Sequence, residues 1–185
     1  MAKEALKKQG LQEKPPVQWT EEELFKLASD LRSESKPTII AANKADHPAA
    51  KEHYEQLKAE FPDHIITPCS AESELALKEA AKKGLIDYTA GERDFTVTKK
   101  GEQEMSEQQQ KALQFIKDHV LQAHEGGTGT QAVLNHAVFH LLGRKAIHPG
   151  GVSKLEDSAG NVLPDCFLME GDATALDFAY RLHTD

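Results

Sequence analysis

The sequence predicts an α/β fold, on the basis of two strand-like runs and the helical patterns that follow them. Residues 38–42 form a continuous, largely apolar run, which is typical of a strand buried on both faces of a parallel sheet. Residues 64–69 predict a second buried strand. Helical periodicity follows each run, at about 49–60 and about 73–83. This order of strand, helix, strand and helix within about 50 residues favours a parallel sheet.

The segment before the first strand, residues 1–35, is predicted to be helical. Pro15-Pro16 breaks the chain after a first short helix. Thr20 and Glu23 have the spacing of a capping box, in which two side chains satisfy backbone N–H groups at the start of a helix. A second helix is therefore expected from about residue 21 to about residue 33.

The region after the sheet is predicted to be mainly helical. Residues 84–105 are polar and lack periodicity, so they are expected to be irregular. Helices are expected at about 106–123 and about 130–142. Residues 126–129, Gly-Gly-Thr-Gly, break the helical pattern, and residues 127–132 have the spacing of a dinucleotide-binding loop. A helix rather than a strand precedes them, so a flexible connection between helices is the better interpretation.

The last segment, residues 146–185, has a third pattern. A turn signal at 157–161 separates two short predicted strands, and the second strand is expected over 162–169. Apolar residues then recur at helical spacing from about residue 174. This segment is therefore expected to be a small mixed unit of two strands and a helix.

Composition narrows the class of protein. The chain has 185 residues, a net charge of −8 and 39% hydrophobic residues, which is enough apolar content for a core. The acidic balance excludes a globally basic surface, so no DNA partner is expected. No apolar run approaches the roughly 20 residues that span a bilayer, so no membrane role is expected. A charged N-terminus and only two cysteines predict a reduced, cytoplasmic protein.

The first candidate site is the run Asn43-Lys44-Ala45-Asp46, which follows the first predicted strand directly and matches the guanine-reading motif NKxD. An aspartate can accept hydrogen bonds from both N1–H and the exocyclic amine of guanine. Adenine has no such pair of donors and would leave the carboxylate unpaired. The stem of Lys44 can lie along the base plane, and the Asn43 amide can reach the base edge and tie neighbouring loops together.

The second candidate site is the run Ser70-Ala71-Glu72, which follows the second predicted strand. GTPases place a Ser-Ala pair here, so that a backbone N–H can donate to O6 of guanine. Loops that follow parallel strands meet at one edge of the sheet, where α/β proteins bind ligands. Together the two runs predict one guanine-binding site.

Other candidates for chemistry are weaker. His136 and His140 have the spacing of two zinc ligands on a helix, but the catalytic glutamate and a third ligand are missing. We therefore expect half-exposed histidines, no metal site and no catalytic residue in this chain.

Several stretches of the chain resemble a known protein family. Residues 36–46, Lys-Pro-Thr-Ile-Ile-Ala-Ala-Asn-Lys-Ala-Asp, resemble the guanine-motif region of the YchF-like branch of the Obg family of translation-factor GTPases. Residues 68–78 resemble the segment that follows it, in a form most like archaeal members. Residues 161–169 and 174–185 resemble the first half of a TGS domain, which is a small β-grasp module.

The resemblance implies the division of the chain and its fold. The parallel strands would be the last part of a P-loop GTPase sheet, followed by a helical region and a partial β-grasp (TGS) domain. The implied parts are a helical insertion at 1–35, the C-terminal part of the G domain at 36–83, the helical region at 84–145 and the partial TGS domain at 146–185.

The resemblance also implies ligands and partners. GTP or GDP would be the nucleotide, Mg²⁺ would be expected only in the full-length protein, and the ribosome or RNA could be contacted through the TGS domain. The residues implied to contact guanine are Asn43, Lys44, Asp46, Ser70, Ala71 and Glu72.

The chain departs from the family in what it lacks. It contains no phosphate loop of the Gly-Lys-Ser/Thr type and neither switch segment, which supply most of the positioning and charge stabilisation in phosphoryl transfer. We therefore expect a fragment of a longer GTPase that does not hydrolyse GTP alone. The alternative is a standalone module that binds ribosome, RNA or protein and keeps a vestigial guanine loop.

Overall fold

The computed structural model describes residues 2–122, 126–150, 156, 159–162 and 165–182. The chain folds into two compact units, residues 1–133 and residues 134–185, each of which is described by itself. Both contain helices and small sheets, so the predicted α/β class is confirmed at this level. No helix within the described part of the chain has the length and apolar character that crossing a membrane requires.

The first unit begins with two helices that pack against each other. Helix α1 covers Ala2–Lys8 and helix α2 covers Glu21–Ser35, with a short 3₁₀ turn at Pro16–Gln18 between them. The predicted capping box is confirmed, because Thr20 and Glu23 satisfy each other's backbone N–H groups. Leu27 of α2 is buried.

A two-stranded parallel sheet follows, as predicted. Strand β1 (Ile40–Ala42) pairs with strand β2 (Ile66–Pro68) in the register Ile40 to Ile66. Helix α3 (Ala50–Glu60) connects the two strands. Helix α4 (Ala71–Lys82) leaves β2 and begins two residues earlier than predicted, with Ser70 at its N-cap position. The carboxyl ends of both strands therefore lie at the same edge.

The prediction that residues 84–105 are irregular is wrong. Strands β3 (Ile86–Asp87) and β4 (Thr96–Val97) form an antiparallel pair, and helix α5 (Lys99–Glu104) follows. Two-residue strands are too short for an alternating pattern to be recognised, and they are held here by burial of Ile86 against the core.

The core of the first unit lies under α4, the β3–β4 pair and helix α6. Helix α6 covers Glu107–Ile116 behind a capping box of Ser106 and Gln109, and it widens into a π-helical turn at Lys117–Leu121. The core joins nine buried side chains into one cluster. Its members are Leu77, Leu85, Ile86, Phe95, Met105, Leu113, Ile116, Val120 and Leu121.

The second unit is a small sheet with one helix. Helix α7 (Thr130–Asn135) begins in the first unit and widens into a π-helical segment, His136–Leu141, that belongs to the second. Strand β5 (Arg144–Ile147) pairs antiparallel with strand β6 (Phe167–Glu170), and helix α8 covers Ala175–Leu182.

The C-terminal sheet differs from its prediction in its ends. Strand β5 begins two residues before residue 146, and β6 begins five residues after residue 162. An antiparallel bridge between Glu156 and Val162 flanks the predicted turn, of which residues 157 and 158 lie outside the described residues. The boundary between the two compact units lies at 133/134 in the sequence. This boundary does not test the predicted four-part division of the chain, which stays a prediction.

Candidate functional site

The candidate site lies at the carboxyl ends of β1 and β2. The parallel ladder continues past the strands, because the backbone N–H of Cys69 donates to Ala42 O at 3.0 Å and that of Ala45 donates to Cys69 O at 3.0 Å. These two bonds fasten residues 43–46 to residues 69–72. The two predicted runs are thus neighbours in space, as sequence reasoning expected.

Asn43 links the two loops through its side chain. Its Oδ1 accepts the backbone N–H of Lys44 at 2.8 Å and that of Ala71 at 3.1 Å, and the Sγ of Cys69 lies 4.0 Å away. Since backbone N–H groups only donate, the oxygen must be the atom that faces the second loop. The amide NH₂ then remains as the donor that this side chain can offer to a ligand.

Asp46 is joined to the second loop by a serine. Ser70 Oγ lies 2.7 Å from Asp46 Oδ1 and 2.9 Å from Ser73 Oγ. A carboxylate only accepts, so Ser70 donates its single proton to Asp46 and must itself accept from Ser73. Ser70 is 1% exposed, whereas Asp46 is exposed. A buried relay therefore orients a carboxylate that faces solvent.

Ala71 and Glu72 form the first turn of α4. The sequence predicts that a backbone N–H here donates to O6 of guanine, but the N–H of Ala71 donates to Asn43. A base oxygen would have to share this hydrogen with Asn43 or displace it. Glu72 is exposed at the positive end of the helix dipole. Of the six predicted residues, Asn43 is thus hydrogen-bonded to Ala71 across the two loops, and Asp46 is hydrogen-bonded to Ser70.

Lys44 has a strained backbone. Its φ is +64°, and among the residues that the structure describes it is the one non-glycine residue with a positive φ. This left-handed conformation costs an L-residue roughly 1–2 kcal/mol. It places Lys44 at the turn of the first loop, where its long side chain is exposed.

We predict that Lys44→Gly folds about 1 kcal/mol more stably than Lys44→Ala, because glycine adopts the positive φ without strain. Both variants lack the lysine stem, so both should lose the same part of any base affinity. Chemical denaturation and nucleotide titration measure the two effects separately. Equal stability of the two variants would show that the loop relaxes.

A cavity of about 910 Å³ opens beside the first loop. It lies between β1 and α3, with Asn43 and Lys44 at its edge and Tyr54 and Leu57 along its wall. Asp46 is not among its lining residues. The cavity is large enough for a small molecule, but the carboxylate that would recognise a base lies outside it.

Thr128 contacts the second loop and was not predicted from the sequence. The carbonyl of Thr128 accepts the backbone N–H of Ser70 at 2.7 Å, and the Thr128 hydroxyl donates to Glu74 at 2.6 Å. The interpretation of residues 126–129 as a flexible connection is therefore corrected, because Thr128 is fully buried against the site. A threonine among three glycines was the available signal, since such a run suits a close approach of backbones.

Tyr88 also contacts Glu74. Its hydroxyl donates to Glu74 Oε2 at 2.8 Å. Burial raises the pKa of Tyr88 to about 12, with further contributions from the hydrogen bond to Glu74 and from its negative charge. The phenol therefore stays protonated in the folded chain well above its ordinary pKa of about 10.

The raised pKa of Tyr88 predicts a loss of stability in alkali. The folded chain holds this proton more tightly than the unfolded chain, so the stabilisation is complete below about pH 10 and is lost as the pH rises toward about 12. Denaturation of the wild type and of Tyr88→Phe at several pH values should show this extra loss only in the wild type. A parallel decline of both would refute it.

The region that contains these loops matches the sequence model of a known protein family. The model described as Obg-like GTPase YGR210-like, G4 motif-containing domain, matches residues 41–150, which are more than half of the chain. Both candidate loops and the loop at 126–129 lie within the matched region. The chain therefore belongs to this family of Obg-like GTPase domains.

Individual relatives agree with this assignment. An uncharacterized GTP-binding protein of Methanocaldococcus jannaschii is 48% identical over 171 residues, which cover 92% of this chain and 42% of that protein. One of Schizosaccharomyces pombe is 30% identical over 172 residues, which cover 87% of this chain and 40% of that protein. The chain thus spans about two fifths of the length of these relatives.

A solved structure is also similar. The crystal structure of a GTP binding protein from Pyrococcus horikoshii OT3 is 35% identical and superposes with a TM-score of 0.63. The similarity covers 100% of this chain and 46% of that one. The mixed α/β fold described above is therefore found in a GTP binding protein of known structure.

Proposed function

We propose that this chain is the part of an Obg-type GTPase that recognises the guanine base of GTP or GDP. The observation that carries the proposal is the pair of hydrogen bonds between the two loops, from Ser70 to Asp46 at 2.7 Å and from Ala71 to Asn43 at 3.1 Å. Such a network orients polar side chains before a ligand arrives, which lowers the cost of binding.

The chemistry of the site suits guanine. The exposed carboxylate of Asp46 can accept from N1–H and from the 2-amino group of the base, while adenine offers no such pair of donors. The NH₂ group of Asn43 can donate to an acceptor on the base edge. The stem of Lys44 can cover one face of the base. Ser70, Ala71 and Glu72 would form the opposite side of the site, where Ala71 N–H is the candidate donor to O6.

The remaining parts of the assignment are also proposals. Residues 36–83 would be the C-terminal part of a G domain of the YchF-like branch, and 146–185 would be part of a TGS domain in a translation-associated protein. Among the described residues, no cluster of His, Cys, Asp and Glu side chains could hold a metal ion. Mg²⁺ at nucleotide sites is held by one or two side chains together with phosphate oxygens, and we propose that other parts of a longer protein would hold such an ion.

Binding of the ribosome or of RNA through residues 146–185 would be a separate function. Several apolar side chains of this segment are exposed, including Leu176 at 62% and Tyr180 at 66%. If the segment binds ribosomes, the bound fraction in a sedimentation assay should be unaffected by Asp46→Ala and reduced by Tyr180→Ala. Equal sedimentation with and without ribosomes would refute this role.

The direct test of guanine recognition compares two nucleotides. Saturation-transfer NMR of the 185-residue chain should show GDP binding with a Kd of about 1 mM, because base contacts alone are present. Binding of ADP should be at least about tenfold weaker, and Asp46→Ala should remove the preference for GDP. Asp63→Ala, an exposed aspartate outside the site, is the matched control. Equal transfer to GDP and ADP in the wild type would overturn the proposal.

A further inference from the structure

The loop at residues 126–129 packs directly on the second guanine-motif loop. Thr128 is fully buried, and its carbonyl accepts the backbone N–H of Ser70. Gly129 has a φ of +77°, and a Cβ at this position would overlap the carbonyl oxygen of Pro68. The glycine thus permits a backbone approach to the end of β2 that other residues would prevent.

Thr128 also holds helix α4 through a buried carboxylate. Its hydroxyl donates to Glu74, which is 5% exposed and lies one turn after Ser70 on the same helix. Thr128 therefore forms two hydrogen bonds with the start of α4, one through its backbone carbonyl and one through its side chain. Tyr88 donates to the same carboxylate and keeps it satisfied.

These two contacts of Thr128 leave the side-chain hydroxyl of Ser70 free to donate to Asp46. Ser70 occupies the N-cap position of α4, yet its side chain makes no capping hydrogen bond. Its hydroxyl donates to Asp46 instead. Serine at an N-cap normally satisfies the first turn of its own helix. Here Asn43 accepts from Ala71 and Thr128 fixes the backbone of Ser70, so the serine hydroxyl can serve the other loop.

We propose that Thr128 is a positioning residue for guanine recognition, which holds Ser70 so that Asp46 can accept from the 2-amino group of the base. The proposal rests on the function proposed above and names a residue that positions the carboxylate of Asp46, which reads the base. Thr128 touches no part of the base in this scheme. It acts through Ser70, so its loss should affect discrimination at the 2-amino group more than overall affinity.

Inosine diphosphate separates these two effects. Hypoxanthine keeps N1–H and O6 of guanine but lacks the 2-amino group, so the ratio of the two affinities reports on the placement of Asp46. The wild-type chain should prefer GDP to inosine diphosphate by about tenfold, which is the usual effect of one hydrogen bond to a charged group. If Thr128 contributed only to stability, its substitution would lower the affinities for GDP and for inosine diphosphate equally.

The experiment measures both affinities by NMR titration of the 185-residue chain. Thr128→Val should reduce the GDP preference to about twofold or less, and Thr128→Ser, which keeps the hydroxyl, should restore it. Thr130→Val is the matched control, because the buried Thr130 hydroxyl has no hydrogen-bond partner among the described residues. This variant should keep the wild-type ratio.

A second variant covers the case in which Thr128→Val fails to fold. Glu74→Gln keeps the size and an acceptor oxygen but weakens the bond from Thr128, so the GDP preference should fall about threefold. An unchanged ratio in folded Thr128→Val or Glu74→Gln would overturn the inference while leaving guanine recognition intact. Equal binding of GDP and ADP by the wild type would instead overturn the proposed function itself.

Discussion

Asp46→Asn is expected to change the preferred base from guanine to xanthine. Xanthine carries an oxygen where guanine carries the 2-amino group, so the asparagine NH₂ could donate to that oxygen while its carbonyl accepts N1–H. With guanine, the same NH₂ would face another donor. Two donors that face each other make no hydrogen bond, and losing the bonds to a charged group typically changes relative affinity by more than about tenfold. NMR titration with GDP and xanthosine diphosphate measures this change.

The control for this exchange is Asp63→Asn, which removes the same charge at an exposed position outside the two loops. It should leave the preference for GDP unchanged. If Asp46→Asn binds neither nucleotide although it folds, the carboxylate is needed for another reason, such as its bond to Ser70. If it still prefers GDP, Asp46 does not read the base.

Leu77→Ala is expected to destabilise the first unit by about 2–5 kcal/mol. Leu77 is fully buried in the core cluster, so its truncation removes apolar contacts and leaves a cavity. It lies on α4, whose first turn carries Ala71 and Glu72. The Leu77→Ala variant should therefore have a larger unfolded fraction. Because the unfolded chain does not bind nucleotide, its apparent affinity for nucleotide should also fall.

Leu75→Ala is the matched control, because Leu75 lies on the same helix and is 61% exposed. Its effect should stay within about 0.5 kcal/mol. Urea denaturation followed by circular dichroism gives both values. Similar losses from the two variants would show that α4 does not pack on the core as described.

The sequence predicted the parts of the site that depend on short-range patterns. The largely apolar run at 38–42 and the run at 64–69 became β1 and β2, and their parallel pairing brought the two loops to one edge. The capping residue Thr20 begins its helix as expected. These features follow from local spacing and from burial on both faces of a strand.

Tertiary contacts determined what the sequence did not predict. The β3–β4 pair is too short to give a period, and it is held by burial of Ile86 rather than by its own pattern. The contact of Thr128 with Ser70 joins residues 58 positions apart, which no local spacing could indicate. The engagement of the Ala71 N–H by Asn43 likewise depends on how the two loops meet.

The contacts of the site suggest how its parts are stabilised. A carboxylate exposed to solvent is oriented by a buried serine, and that serine is held by a buried threonine and by the start of α4. Ser70 and Thr128 are both buried, whereas Asp46 is exposed. Such an arrangement limits the freedom of Asp46 without burying its charge, which would be costly.

The most direct measurement is a map of amide signals of the ¹⁵N-labelled chain during titration with GDP. If the two loops bind guanine, the signals of residues 43–46 and 70–72 should shift together, while those of core residues such as Leu113 and Val120 remain in place. ADP at the same concentration should leave both loops unchanged. Shifts that avoid these loops, or equal shifts with GDP and ADP, would contradict recognition of guanine at this site.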